Sequence, residues 1–283
     1  MSPPRFDAHP ASGLTRPCPL CGERSEAAAG VVARPVRCRS CSLVFVDPVP
    51  DAAIDQETYG PGYYEPWQER EEAPRARLWR RRLARIDVRR KPGVLLDVGC
   101  GDGHFLAEAR SAGWRIEGIE FSPEGARRAA ARLDRPVAIG DLADSAQLMG
   151  PFDVVTLWHV LEHLPDPRPM LRAAWRRLAA GGLIVVAVPN LDNLPMQAAY
   201  ILARRRRLPL YETGAREPHL SHFSAGTLRL ILQKEGFRSI EMEPDRCALT
   251  IPKRLIDAVA AFLSRAAGRN LTDAITAFAW RPS

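Results

Sequence analysis

From Val94 onward, short apolar runs alternate with longer stretches of helical periodicity. Val94–Val98, Arg115–Ile119, Val137–Ile139, Phe152–Leu157 and Leu183–Val188 read as strands. The stretches at about His104–Ala112, Pro123–Leu133 and Met170–Ala179 read as the helices between them. Such alternation predicts a parallel sheet covered on both faces. Beyond Asn190 the pattern predicts an irregular insert, a helix near Ala225–Glu235, a strand near Ser239–Glu243, an amphipathic helix at Lys253–Ala267 and a closing strand at Ala274–Trp280. The first 93 residues follow no such alternation. They hold a short strand, Leu43–Val46, an aromatic segment Tyr59-Gly60-Pro61-Gly62-Tyr63-Tyr64, and a charged helical run from about Arg75 to Arg90.

A length of 283 residues with 46% hydrophobic and 26% charged positions describes a folded chain with a substantial core, either one large domain or a medium one with an appendage. The net charge of +7 raises nucleic acid or an anionic membrane surface as partners. Composition weakens that reading. Of 40 cationic residues only Lys91, Lys234 and Lys253 are lysines, a skew that arginine-rich codon usage writes on any solvated face. The start is broken by proline and carries no apolar signal-peptide core, and the apolar runs at 183–188 and 258–263 fall far short of a membrane span. A cytoplasmic location is therefore expected, where clustered cysteines argue for metal before disulfides.

Four cysteines form two knuckles, Cys18-Pro-Leu-Cys21 and Cys38-Arg-Ser-Cys41. Paired CxxC motifs at this separation let four thiolates close a tetrahedron around one Zn²⁺, with no open position for catalysis. A structural zinc ribbon over residues 15–47 is expected, with a connector over 48–91.

The central motif is Leu96-Asp97-Val98-Gly99-Cys100-Gly101-Asp102-Gly103, an apolar strand entering a glycine loop and a helix. Glycines let the backbone approach a ligand, and the helix start offers unpaired N–H groups. Its spacing is GxGxG and does not match the dinucleotide GxGxxG, although Glu120 at the end of the next strand would suit ribose hydroxyls in either case. Together with Glu120-Phe121-Ser122, Gly140-Asp141-Leu142 and Phe152-Asp153-Val154-Val155-Thr156-Leu157-Trp158-His159-Val160-Leu161-Glu162-His163, this motif closely resembles the class I S-adenosylmethionine-dependent methyltransferases. The likeness covers about Val94 to Trp280. It implies an α/β fold, a doubly wound seven-stranded Rossmann-like sheet over residues 92–283, with a substrate-covering insert at about 190–224. It also implies that Gly99, Cys100 and Gly101 lie against the methionine part of the cofactor, with Asp97 organising that loop. Glu120 would take the ribose hydroxyls, Phe121 would pack on the adenine, Asp141 would receive the adenine amino group, and Leu142 would lie beside it. The amino-terminal part resembles the bacterial enzymes that modify sugars and secondary metabolites, whose "HEHLSYFS" stretch is similar to His219-Leu220-Ser221-His222-Phe223-Ser224; their tyrosine before the histidine falls on Arg216 here.

Methyl transfer to an alcohol or enol needs an aligned nucleophile and a proton acceptor, a task suited to histidine. His219, His163 and His159 are the candidate catalytic residues. Arg204–Arg207 could grip a phosphate, sit on anionic lipid or end a solvated helix. The expected activity is methylation of an oxygen or carbon of a small-molecule acceptor, a sugar, glycoconjugate or secondary metabolite. The rivals are an RNA methyltransferase that binds RNA through its zinc ribbon, and a non-catalytic cofactor-binding partner subunit.

Overall fold

The computed structural model describes residues 9–10, 14–24, 32–50, 59–69, 72–212, 214–215, 217–247 and 251–283. In chain order these form β1 (His9–Pro10), β2 (Arg34–Arg37), β3 (Val44–Asp47), α1 (Pro61–Glu69), α2 (Glu72–Asp87), β4 (Val94–Val98), α3 (His104–Ser111), β5 (Arg115–Glu120) and α4 (Pro123–Leu133). They continue as β6 (Ala138–Ile139), β7 (Phe152–Trp158), α5 (Arg168–Arg177), β8 (Leu178–Pro189), α6 (Leu194–Arg204), β9 (Ser221–His222), α7 (Ala225–Lys234), β10 (Arg238–Asp245), α8 (Ile251–Ala267) and β11 (Ala274–Trp280).

The large sheet runs β10-β11-β8-β7-β4-β5-β6. From β8 to β6 every pairing is parallel, while β11 lies antiparallel to both of its neighbours. Its central strands are buried on both faces, which explains their unbroken apolar runs. Adjacent residues serve opposite sides: Leu96, Val155 and Ile184 join one core cluster, and Leu95, Val154 and Val185 the other. Local signals set the helix starts. Ser122 caps α4 by accepting from the Gly125 N–H, with Pro123 in the first turn, and Ser224 and Thr227 make a reciprocal capping box on α7.

The seven expected strands are all present. One boundary differs: the helix expected to reach Ala179 ends at Arg177, and β8 begins at Leu178. Between Leu178 and Leu183 β8 advances five residues while its partner β7 advances two, from Phe152 to Val154. The excess is taken up at Gly181, whose φ of +68° glycine adopts without steric cost.

The amino-terminal cysteine region does not stand alone. β3 pairs antiparallel with β9, setting Val44 opposite His222 and Phe45 opposite Ser221, so a strand from the catalytic insert completes the small sheet β1-β2-β3-β9. Leu14, Leu20, Leu43 and Phe45 share one apolar core with Leu161 and Phe223.

Helix α2 is fastened to β10 by arginines. Arg82 meets Asp245 at 2.7 Å with both side chains 1% exposed, Arg85 meets Glu243 and Asp245, and Arg89 meets Glu241 and Glu243. Burial pushes the Asp245 carboxyl up, but Arg82 and Arg85 outweigh it and hold it at about 2. That value lies below the ordinary aspartate value, so the stabilisation is complete above about pH 4 and is lost as pH falls toward 2. It is worth roughly 2–3 kcal/mol at neutral pH. D245N should therefore lower the unfolding free energy clearly at pH 7 and much less at pH 3 in urea titrations. An equal loss at both values would remove the ion pair as the cause.

Candidate active site

A cavity of about 720 Å³ opens at the carboxyl ends of β4, β5 and β7, the neighbouring strands where an open α/β sheet binds its ligands. The β4 to α3 loop forms one wall. Gly99 has φ +70°, and a Cβ there would come within 2.7 Å of the Val160 side chain, so a larger residue is excluded by both conformation and space. Glu120, at the end of β5, accepts hydrogen bonds from the N–H groups of Gly101 at 2.7 Å and Ser122 at 2.9 Å. Asp97 accepts the Thr156 hydroxyl at 2.6 Å. Burial, foremost, pushes Asp97 up to about 8 and raises Glu120 as well; the Glu120 charge adds to the rise of Asp97, and that of Glu217 to the rise of Glu120. Two buried carboxyls in one cavity favour a ligand that brings a cation and hydroxyl donors.

Of the residues expected to hold a cofactor, Asp97, Gly99, Cys100, Gly101, Glu120, Phe121 and Asp141 all line the cavity. Asp141 accepts the Ala143 N–H at 2.7 Å, which shapes the turn after β6. Leu142 departs from expectation. It is fully buried in the hydrophobic core and faces away from the cavity wall.

The connector supplies a cover that the sequence reading did not assign. Tyr59, Tyr63 and Tyr64 line the cavity, with Arg75, Trp79 and Arg82 from α2. Arg75 makes a two-pronged bond to the loop residue Asp102, at 2.8 and 2.9 Å. Arg82 lies between the Trp79 and Trp158 rings, its guanidinium 5.0 and 4.7 Å from their centroids. The aromatic segment Tyr59–Tyr64 was the available signal, while the inward reach of Arg75 and Arg82 follows only from where α2 packs.

The three candidate histidines converge on one acid, Glu162, which is 1% exposed. His159 holds φ +58°, a costly conformation for a residue with a side chain. Its Nε2 lies 3.0 Å from Arg82 Nη2, which can only donate, so the ring proton is assigned to Nδ1 and is given to Glu162 at 3.1 Å. Both nitrogens of His159 are thereby engaged. His163 Nδ1 donates to the Pro218 carbonyl at 3.2 Å, and its Nε2 faces Glu217 at 3.4 Å. Tyr63 donates to that same Glu217 carboxylate.

His219 stacks edge-on against His163, with ring centroids 5.0 Å apart. Burial, foremost, drives it down to about 4, so the ring is neutral with a lone pair at physiological pH. Its backbone is held from both sides: the Leu220 N–H donates to the Glu162 carbonyl at 2.6 Å, and the Leu220 carbonyl accepts the Val46 N–H at 2.9 Å. Burial pushes His222 down to about 3, facing β3. Glu162, His163 and His219 each offer a donor atom within 4.8 Å of the others, a spacing that one divalent cation could bridge. Arg216 lies outside the described residues. Arg204–Arg207 end α6 in solvent, and none of them lines the cavity.

The sulfur atoms of Cys18, Cys21, Cys38 and Cys41 also gather within 4.8 Å of one another. Cys18 and Cys41 are 3.6 Å apart and Cys21 and Cys38 3.5 Å, close to the ~3.8 Å edge of a tetrahedron with Zn–S bonds of about 2.3 Å. The two knuckles fold alike. In each, the first cysteine's carbonyl accepts an N–H four residues on, at Gly22 and at Ser42, and both of those residues have positive φ.

Comparison with known proteins agrees with this geometry. A model described as "Methyltransferase domain" matches residues 67–242. A ubiquinone biosynthesis O-methyltransferase of Xanthomonas oryzae pv. oryzae is 35% identical over 128 residues, 42% of this chain and 50% of that protein. The chain thus spans about half the length of the curated relatives it matches. Among solved structures, an S-adenosylmethionine-dependent methyltransferase of Thermotoga maritima superposes with a TM-score of 0.57 at 16% identity, covering 80% of this chain and 98% of that one. Phosphoethanolamine N-methyltransferase 2 of Haemonchus contortus, solved with S-adenosyl-L-methionine, has a TM-score of 0.51 at 16% identity and covers 85% of this chain and 63% of its own. The chain belongs to the class I S-adenosylmethionine-dependent methyltransferases.

Proposed function

We propose that this enzyme methylates a hydroxyl oxygen of a small hydroxylated metabolite and that His219 takes the hydroxyl proton. S-adenosylmethionine supplies an electrophilic methyl group on a sulfonium, with an α-ammonium and two ribose hydroxyls for the protein to hold. Glu120, its carboxylate already oriented by two backbone N–H groups, accepts the ribose hydroxyls. Asp97 and the Gly99–Gly101 backbone take the amino acid end, where the ammonium relieves the Asp97 carboxyl that burial otherwise pushes up. Phe121 and Asp141 flank the adenine. The observation that carries the reading is the neutral His219, in the same cavity as Gly99 and Glu120, with Glu162 and His163 beside it. The relatives named as O-methyltransferases support oxygen over carbon. Cys18, Cys21, Cys38 and Cys41 hold one structural zinc in this reading, and residues 15–47 act as a support for the catalytic domain.

Incubation with methyl-labelled S-adenosylmethionine and parallel panels of phenols, catechols, sugars and RNA tests the assignment. Label in a small-molecule methyl ether is expected. Label in RNA alone, or binding of the cofactor without transfer to any acceptor, overturns it. E120A should weaken cofactor binding by about 3 kcal/mol, roughly 150-fold by calorimetry, since two hydrogen bonds to a charged group are removed. Unchanged affinity would remove Glu120 from the ribose site.

A further inference from the structure

We infer that α6 and α8 together form a docking surface for an anionic phospholipid bilayer. The two helices pack against one another. Each bares apolar side chains to solvent: Ile201 and Leu202 near the end of α6, then Leu208, and Leu255, Val259, Phe262 and Leu263 along α8. Leu202 is 74% exposed and Phe262 69%. Positions 255, 259, 262 and 263 fall on one stripe of the helix, and Asp257, Ala260 and Ser264 are buried on the other. A surface helix normally turns its polar stripe outward, so this one is reversed for water and correct for an apolar phase.

Charge identifies the occupant. Residues 194–211 and 251–270 carry eight cations, Arg204–Arg207, Lys253, Arg254, Arg265 and Arg269, against a single acid, the buried Asp257. Outside those segments, Glu212 lies 3.5 Å from Arg206 and Asp192 lies 3.5 Å from Arg269. A second copy docked on the same face would set two such cationic fields against each other. An anionic leaflet instead receives the apolar stripe at the level of the acyl chains and the guanidinium groups at the phosphates. Neither helix is long and apolar enough to cross the bilayer, so the contact lies in the interface plane. Both helices follow strands that end at the cavity's side of the sheet, where Pro189 and Cys247 line its wall.

Sedimentation of the full chain with phosphatidylcholine vesicles, with and without roughly one third phosphatidylglycerol, tests this. Binding to the anionic vesicles should exceed binding to the neutral ones by at least about tenfold and fall on raising the salt to about 0.5 M. The quadruple variant R204Q/R205Q/R206Q/R207Q and the triple variant L255S/V259S/F262S should each lose at least about tenfold in partitioning. Both should keep wild-type affinity for S-adenosylmethionine, since none of these residues lines the cofactor cavity. A chain that stays in the supernatant with anionic vesicles overturns the inference. So does wild-type partitioning by either variant, or a stable dimer in light scattering that F262S dissociates.

Discussion

Replacing His219 with alanine should lower kcat by roughly 10²–10⁴ while cofactor affinity stays within about twofold, the range expected when a positioned general base is lost. The three histidines around Glu162 do not compete equally for the task. His159 has one nitrogen committed to Arg82 and the other to Glu162, and the Nδ1 of His163 is committed to Pro218. Among the described residues, His219 alone of the three has no ring nitrogen so engaged, and burial keeps it unprotonated. Glu162 holds the group in place: burial pushes its carboxyl up, but foremost the hydrogen bond from His159 outweighs that and holds it at about 2. H159N should therefore cost less than H219A. The same imidazole could serve instead as a cation ligand with Glu162 and His163. Turnover that is independent of added Mg²⁺ or Mn²⁺ but lost in H219A assigns it as the proton acceptor, whereas full turnover by H219A would end that assignment.

Much of this site was legible before any coordinates. The glycine loop, Glu120, Asp141 and the pair His159 and His163 were readable because each follows a strand of the alternating pattern, and His219 through its likeness to the family stretch at 219–224. Two parts were not. Glu162 follows the strand motif with no local signal of its role, since its burial among three histidines depends on the 218–222 segment folding back across about sixty residues. Arg75 and Arg82 stand in a charged helical run with nothing in its pattern to single them out, and only the packing of α2 over the cavity turns them inward. The reverse error touched Leu142, whose place next to Asp141 suggested a wall residue although the turn after β6 leaves it fully buried in the core. Strand β9 is two residues long and has no periodicity to detect, so its pairing with β3 was invisible.

That short pairing gives the cysteine region its largest expected effect. Protein stripped of zinc, or carrying C38S and C41S together, should lose turnover almost completely while still binding S-adenosylmethionine. The strands β2 and β3 are four residues each, and on the proposed reading a zinc held by the four cysteines would add on the order of 10 kcal/mol to hold so small a sheet. Once β3 loosens, β9 loses its partner and Leu220 loses the Val46 N–H, leaving the Glu162 carbonyl as the remaining tie on the residue beside His219. The glycine loop, Glu120 and Asp141 are set by β4, β5 and β6 and do not depend on that sheet. Purified protein should contain one equivalent of zinc by mass spectrometry, and its removal should lower Tm, abolish methyl transfer and leave the calorimetric cofactor affinity within a few-fold. A ribbon that served only to bind RNA would predict the opposite pattern, with small-molecule turnover surviving metal loss, and that result, or less than about half an equivalent of zinc, would detach the cysteines from catalysis.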